Sequence, residues 1–359
     1  RQGDYSPVYK GKVLASSTLD QCIATGKQLI GWEEKYPVRD LGDTLRAVGM
    51  AVTMQGSGIA GIDTASAEIR LNDDGNYTLL IGSTDMGTGS DTILAQMAAE
   101  VLETNLEHFI VHAADTDVSP FDPGSYASST TYVTGMAVKL AAEELRGKML
   151  EQAAKLLEAD GAQISFDGVK FWSEDGKRRL TVAKLAERMA LGAGCQQLTG
   201  QGTYGSPTSP PPFVAGFAEV EIDKATGKVT PIDFVAVVDC GTVINPALAR
   251  VQTEGGVVQG IGMALYEEVR YTGQGRLETC NFMQYKIPCR KDVGNVRVAF
   301  EPSYEPTGPF GAKSIGEAVI NTPAPALAHA VFNATGVQLT QLPLTPEKVL
   351  QALLTKKRG

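Results

Sequence analysis

Four short segments combine glycine with small polar residues at a spacing suited to holding an anion. They are Met86-Gly87-Thr88-Gly89, Tyr126-Ala127-Ser128-Ser129-Thr130, Gln252-Thr253-Glu254-Gly255-Gly256 and Gly311-Ala312-Lys313-Ser314-Ile315-Gly316-Glu317. Each lies beside a segment expected to be helical, where unsatisfied backbone N–H groups and the positive end of the helix dipole favour phosphate. Any one of them also reads as a tight turn; their joint occurrence points to an anionic cofactor. Glu317 is the acid of interest. Gly311, Gly316 and mostly apolar neighbours bracket it, an environment in which a carboxylate can act as a general base. The alternative is an acid at a helix N-terminus, stabilised by the dipole alone. Nucleotide fingerprints lack their context, since no G-x-G-x-x-G joins a strand to a helix inside a βαβ unit and no G-x-x-x-x-G-K-[ST] occurs.

The elements that must position these loops fall into two repeated units. Residues 67–71 and 77–81 alternate apolar with polar around the turn Asn72-Asp73-Asp74-Gly75, a hairpin that leads into the first glycine loop. Ser90 is expected to cap the following helix, whose residues Ile93, Leu94, Met97, Ala98, Val101 and Leu102 form one stripe. The order recurs with strands 217–222 and 235–238, a polar loop at 239–246, and a helix over 248–266 interrupted by Gly255-Gly256. Residues 109–111 read as a strand, 136–158 as a helix, Asp167-Gly168 as a hairpin turn and Thr181 as a helix start. Residues 318–332 read as one long apolar helix, and Thr345-Pro346-Glu347 opens a terminal one. The Pro-rich run 206–212 is the linker candidate. An α+β fold follows, with two similar lobes of hairpin-rich mixed sheets covered by helices, over 1–205 and 206–359.

Composition bounds the function classes. The 359 residues are 43% hydrophobic and 20% charged with a net charge of −9, which suits a buried core and excludes a nucleic-acid groove. No apolar run approaches the ~20 residues of a membrane helix and the start has no signal-peptide core, so a cytoplasmic protein is expected. The first residue is Arg1, which suggests a processed chain or a piece of a longer one. Five cysteines (Cys22, Cys195, Cys240, Cys280, Cys289) lack a paired short spacing and are expected to be reduced and buried; no zinc site is expected from three histidines.

In order and spacing the loops resemble those of the molybdenum-binding subunit of the xanthine dehydrogenase and aldehyde oxidase family, in its C-terminal molybdopterin half. The resemblance rests on 82–89 (similar to G-x-T-[DE]-[MI]-G-Q-G), 127–138, Val238-Asp239-x-Gly241 through Asn245-Pro246, 252–262 and 311–317, and covers nearly the whole chain. It implies molybdopterin, or molybdopterin cytosine dinucleotide, with molybdenum that takes no direct protein ligand. It implies that Glu317 is the catalytic base, which deprotonates the Mo–OH group so that its oxygen attacks an electron-poor carbon. Gly87, Thr88 and Gly89 match the loop at the pterin phosphate region, Ala127, Ser128 and Thr130 the small-residue loop near the metal, Gln252 a pterin-binding glutamine, and Lys313 with Gly316 the pyranopterin side of the Glu317 loop. Gln55 and Ser57 fall on the loop that flanks substrate in relatives. The implied reaction is hydroxylation of an aromatic N-heterocycle (purine or nicotinate-like) or an aldehyde, with water as oxygen source. The four loops are then expected to converge.

This sequence departs from the family pattern at Thr88, where many members carry glutamine, and at Ala318-Val319, where purine-oxidising members often have Pro-Pro. The family's first molybdenum lobe is not in these residues, nor are iron–sulfur cysteines or a flavin domain. Partners are therefore expected to be an N-terminal molybdenum lobe and iron–sulfur and flavin (FAD) domains or subunits, with self-association of the exposed face compatible with the same reading. A non-catalytic binding or assembly module that retains the fold without metal is the alternative.

Overall fold

The computed structural model describes residues 2–6, 12–159, 164–191 and 195–356. They divide into two compact units, one made of 1–55, 211–303 and 315–359, the other of 56–210 and 304–314.

In the unit built on 56–210, Thr64–Leu71 and Tyr77–Ile81 form the expected hairpin. The chain then crosses through the helix Ser90–Val101 and returns as Phe109–Ala113, parallel to Tyr77–Ile81. Thr199–Gly205 pairs on the other side of Thr64–Leu71, completing a four-stranded mixed sheet. Burial along Thr64–Leu71 alternates residue by residue, so one sheet face is packed and the other is not. Gly135–Leu156 helps to cover the packed face, and its axis comes very close: a Cβ at Gly202 would stand 2.1 Å from Ala137 O and 2.6 Å from Ala141 N. A small antiparallel sheet of Ile164–Phe166, Lys170–Ser173 and Arg179–Thr181, with the helix Val182–Ala190 capped by Thr181, completes the unit.

The other unit repeats the plan. Phe213–Asp223 and Val229–Asp239 form a hairpin, the helix Pro246–Leu265 crosses over, and Asn295–Phe300 returns parallel to Val229–Asp239. Thr44–Met54 lies on the far side of Phe213–Asp223 in the place that Thr199–Gly205 occupies in the first sheet, with Val38–Asp40 at the edge. The covering helix here is Pro323–Thr335, and a Cβ at Gly49 would meet Ala326 O and Ala330 N at 2.3 Å. Phe213–Asp223 is buried nearly throughout because helices cover both faces. Leu19–Ile30 packs Cys22 and Ile30 on Phe217, Val235 and Val237, while Val257, Ile261, Leu327 and Val331 fill the opposite side. The expected α+β pair of similar lobes is what the chain forms.

The structure corrects several expectations. The units are not 1–205 and 206–359: residues 1–55 belong with the C-terminal segments, because Thr44–Met54 pairs along its whole length with Phe213–Asp223. Gly89, not Ser90, holds the N-cap position of its helix. The apolar run at 318–332 is divided, a short 3₁₀ turn Ala318–Asn321 preceding Pro323–Thr335, since Pro323 has no N–H to continue a helix. Of the five thiols, Cys22 and Cys240 are buried, whereas Cys195, Cys280 and Cys289 are exposed. Among the described residues no helix is long and apolar enough to cross a membrane.

Candidate functional site

Glu317 stands at the N-cap position of the turn Ala318–Asn321, yet its side chain makes no capping bond there. Its carboxylate is exposed and reaches Gln55, whose Nε2 donates to Glu317 Oε2 at 2.7 Å. The backbone on either side is tied by two further side-chain donors. Gln252 Nε2 donates to Gly316 O at 3.0 Å, and Thr53 Oγ1 donates to Ala318 O at 3.2 Å. Ala318 and Val319 are buried with Val214, Val238 and Cys240.

Gln252 is not in a loop. It lies inside the helix Pro246–Leu265, as do Gly255 and Gly256, so this segment presents no helix-end N–H groups to an anion. What Gly256 provides is room: a Cβ there would be 2.4 Å from Val319 Cγ2, and the turn beside Glu317 packs directly on the helix. Asn245 Oδ1 accepts from Leu248 N at 3.1 Å and starts that helix, followed by Pro246. The loop before it is anchored by the fully buried Asp239, which accepts from Gly241 N at 3.1 Å, Thr18 N at 2.9 Å and Ser303 Oγ at 2.6 Å. Gln55, Gln252, Gly316 and Glu317 thus form one cluster.

The remaining candidates lie in the other unit. Ala127 and Ser128 are consecutive non-glycine residues at φ 51° and 55°, a left-handed conformation that costs energy unless neighbours impose it. Here Ala127 O accepts from Gly58 N at 2.9 Å and Ser128 O accepts from Ser314 Oγ. Ser57, expected to face substrate, is fully buried. Its hydroxyl donates to Pro210 O at 2.6 Å and accepts from Ser314 N at 3.0 Å, so it is a tie between segments. Lys313, beside Ser314, is buried as well. Thr130 opens a π-helical turn, Thr130–Thr134, ahead of the helix Gly135–Leu156.

The Gly87-Thr88-Gly89 loop also differs from an open anion nest. Asp85 Oδ1 accepts from Gly87 N at 2.9 Å and Gly89 N at 3.1 Å. Partial burial pushes the Asp85 carboxyl up, but these N–H donors, with those of Asp91 and Thr88, hold it below the usual range. Asp91 is shifted the other way, by burial and by the charge of Asp85. The free polar groups at this loop are side chains: among the described residues, the buried hydroxyls of Ser83 and Ser90 and the buried Asp91 Oδ1 have no hydrogen-bond partner.

Sequence reasoning missed Thr53 and the contact of Gln55 with Glu317, and it gave no individual role to Asp239 and Ser83, although both lie in segments that carry the resemblance. A signal existed for one pair, because Thr53 and Gln55 are two apart on an extended segment and share a face.

A family model described as molybdopterin cofactor-binding domain matches residues 25–294. The probable hypoxanthine oxidase XdhD of Escherichia coli (strain K12) is 38% identical over 342 residues, 94% of this chain and 35% of that protein. The xanthine dehydrogenase molybdenum-binding subunit of Escherichia coli O157:H7 is 33% identical over 362 residues, 98% of this chain and 48% of that one. The crystal structure of quinoline 2-oxidoreductase from Pseudomonas putida 86 superposes with a TM-score of 0.86 at 26% identity, covering 96% of this chain and 47% of that chain. The chain therefore spans between a third and a half of the length of these relatives. With the fold, the loop order and the matched residues agreeing, the chain belongs to the molybdopterin cofactor-binding domain family.

Proposed function

We propose that the chain is the base-bearing part of a molybdenum hydroxylase that oxidises an aromatic N-heterocycle or an aldehyde with water as the oxygen source. The observation behind this reading is the contrast at Glu317: an exposed carboxylate on a turn whose flanking carbonyls are both tied by side-chain donors. Such a group is open to a reactant and fixed in place, the two conditions a general base needs. When bound, a molybdenum–pterin cofactor supplies the two-electron redox chemistry. Glu317 accepts the proton that must leave the incoming oxygen, at one of its carboxylate oxygens, and Gln252 holds the turn that presents it. Ser83 and Ser90 would hold the cofactor, since a buried hydroxyl without a partner costs about 1–3 kcal/mol and an oxygen-rich group relieves that cost. Gly87, Thr88, Ala127, Ser128, Thr130 and Lys313 belong to the same proposal by their match to the family. Because the chain spans only part of its relatives, an N-terminal molybdenum lobe and iron–sulfur and flavin partners complete the proposed enzyme.

The test is Glu317→Gln in the complete enzyme, with reduction of the metal centre by substrate followed by stopped flow at matched metal content. The amide is isosteric, so folding and cofactor content should hold while the reduction rate falls by ~10²- to 10⁴-fold. A variant within tenfold of wild type removes Glu317 from the mechanism. One observation favours a second reading, a non-catalytic binding or assembly module: Asp85 fills the amides that an anion would take. That reading requires native protein without molybdenum or pterin.

A further inference from the structure

We infer that Gln55 is a positioning residue that sets the orientation of the Glu317 carboxylate, an inference that rests on reading Glu317 as the base. Three donors hold three consecutive residues, and they differ in what they hold. Gln252 and Thr53 grip the carbonyls of Gly316 and Ala318 and so fix the turn. Gln55 grips the carboxylate itself, across 262 residues of sequence. A glutamate on a fixed turn still has three rotatable side-chain bonds, and an exposed one samples several rotamers. A donor on an independent, rigid element selects among them.

Gln55 meets that requirement because it continues the strand Thr44–Met54, which is paired in unbroken register with Phe213–Asp223. Its own N–H is directed at Pro212 O at 3.4 Å, extending that pairing by one residue. Two residues back on the same face, Thr53 holds the next residue of the turn, so strand and turn are joined twice. The chemistry of the donor suits the task as well. A primary amide neither gives up nor takes a proton near neutral pH, so it orients the carboxylate without competing for the proton that the carboxylate must accept. A second carboxylate at this place would share it. Assignment of Gln55 to substrate binding makes a different demand, namely that its loss raise KM.

The experiment uses the holoenzyme with three changes: Gln55→Met, which keeps the length and removes the donor; Gln55→His, which restores an N–H at similar reach; and Glu317→Gln. Steady-state kcat and KM are measured with the stopped-flow reduction rate. Carbodiimide modification of Glu317 is followed separately by peptide mass mapping, a readout independent of turnover. The expected result for Gln55→Met is a fall of ~10- to 100-fold in kcat, the usual effect of a misplaced catalytic group, with KM within about twofold. Carbodiimide should label Glu317 faster in that variant, and Gln55→His should recover most of both properties. The inference is overturned if Gln55→Met keeps its kcat, or raises KM alone, while Glu317→Gln is inactive. It is also overturned if labelling of Glu317 is the same with and without the amide. Should Glu317→Gln itself stay within tenfold of wild type, the base reading fails and takes this inference with it.

Discussion

Ser57 and Gln55, two positions apart, show how residue type underdetermines role. Both fall on the loop that flanks substrate in the family the sequence resembles, and on that ground both were expected to face substrate. Ser57 is instead enclosed, with both its donor and its acceptor used inside the protein. Removing that hydroxyl strands Ser314 N and Pro210 O in a buried site, so Ser57→Ala should lower stability by about 1–3 kcal/mol and leave KM unchanged. Urea midpoints beside steady-state kinetics check this, and a raised KM at unchanged stability would return Ser57 to the substrate pocket. Glu317 was legible because glycine, small residues and an acid crowd into seven positions of local sequence. Its partner was not, since nothing near residue 317 or residue 55 records a contact made 262 residues away.

Elements were legible where local periodicity and tertiary demand agree. The hairpin Thr64–Leu71 with Tyr77–Ile81 follows from alternation and an Asp-Gly turn, and the helix expected over 136–158 forms as Gly135–Leu156. Gly255-Gly256 was misread as a break because each glycine costs about 1 kcal/mol in a helix interior, a penalty that packing overrides when a neighbour needs the space. Glycines inside elements can have opposite consequences. Gly255 meets nothing within 4 Å, so Gly255→Ala should stabilise by up to about 1 kcal/mol. Gly202 and Gly49 lie under the backbones of their covering helices, and alanine at either should cost about 1–3 kcal/mol or more by prising helix from sheet. Chemical denaturation of the three variants tests the set; equal midpoints for Gly202→Ala and wild type would mean that the close helix contact is absent in solution.

For the whole molecule, a single boundary near residue 205 failed for a topological reason. The chain passes between units at 55/56, 210/211, 303/304 and 314/315, and the strand that precedes the first of these crossings belongs to the sheet formed after the second. Pairing of that range leaves no composition shift to read, although the duplicated hairpin, loop and helix order was visible in each half. The two units share a further property that belongs to the molecule as a unit of stability. Tyr77 and Tyr204 are both pushed above the ordinary phenol range, chiefly by burial, with Tyr204 also hydrogen-bonded to Tyr132. Tyr266, in the other unit, is pushed up to about 12 by burial and by the nearby charges of Asp292 and Cys289. In the unfolded chain these phenols ionise near pH 10. Between that value and the higher folded one the unfolded state has already released protons that the folded state still holds, so stability falls as pH rises through this window and is unaffected by these groups below it. Lysines titrate in the same range, and the informative quantity is therefore a difference between proteins. Tyr266→Phe keeps the ring, loses only a long 3.3 Å contact to Asp292 O, and removes one of the three phenols. Its urea midpoint should fall less steeply than that of wild type between about pH 10 and 12 while the two stay parallel below about pH 9. Identical slopes across the alkaline window would show that Tyr266 ionises alike in the folded and unfolded chain.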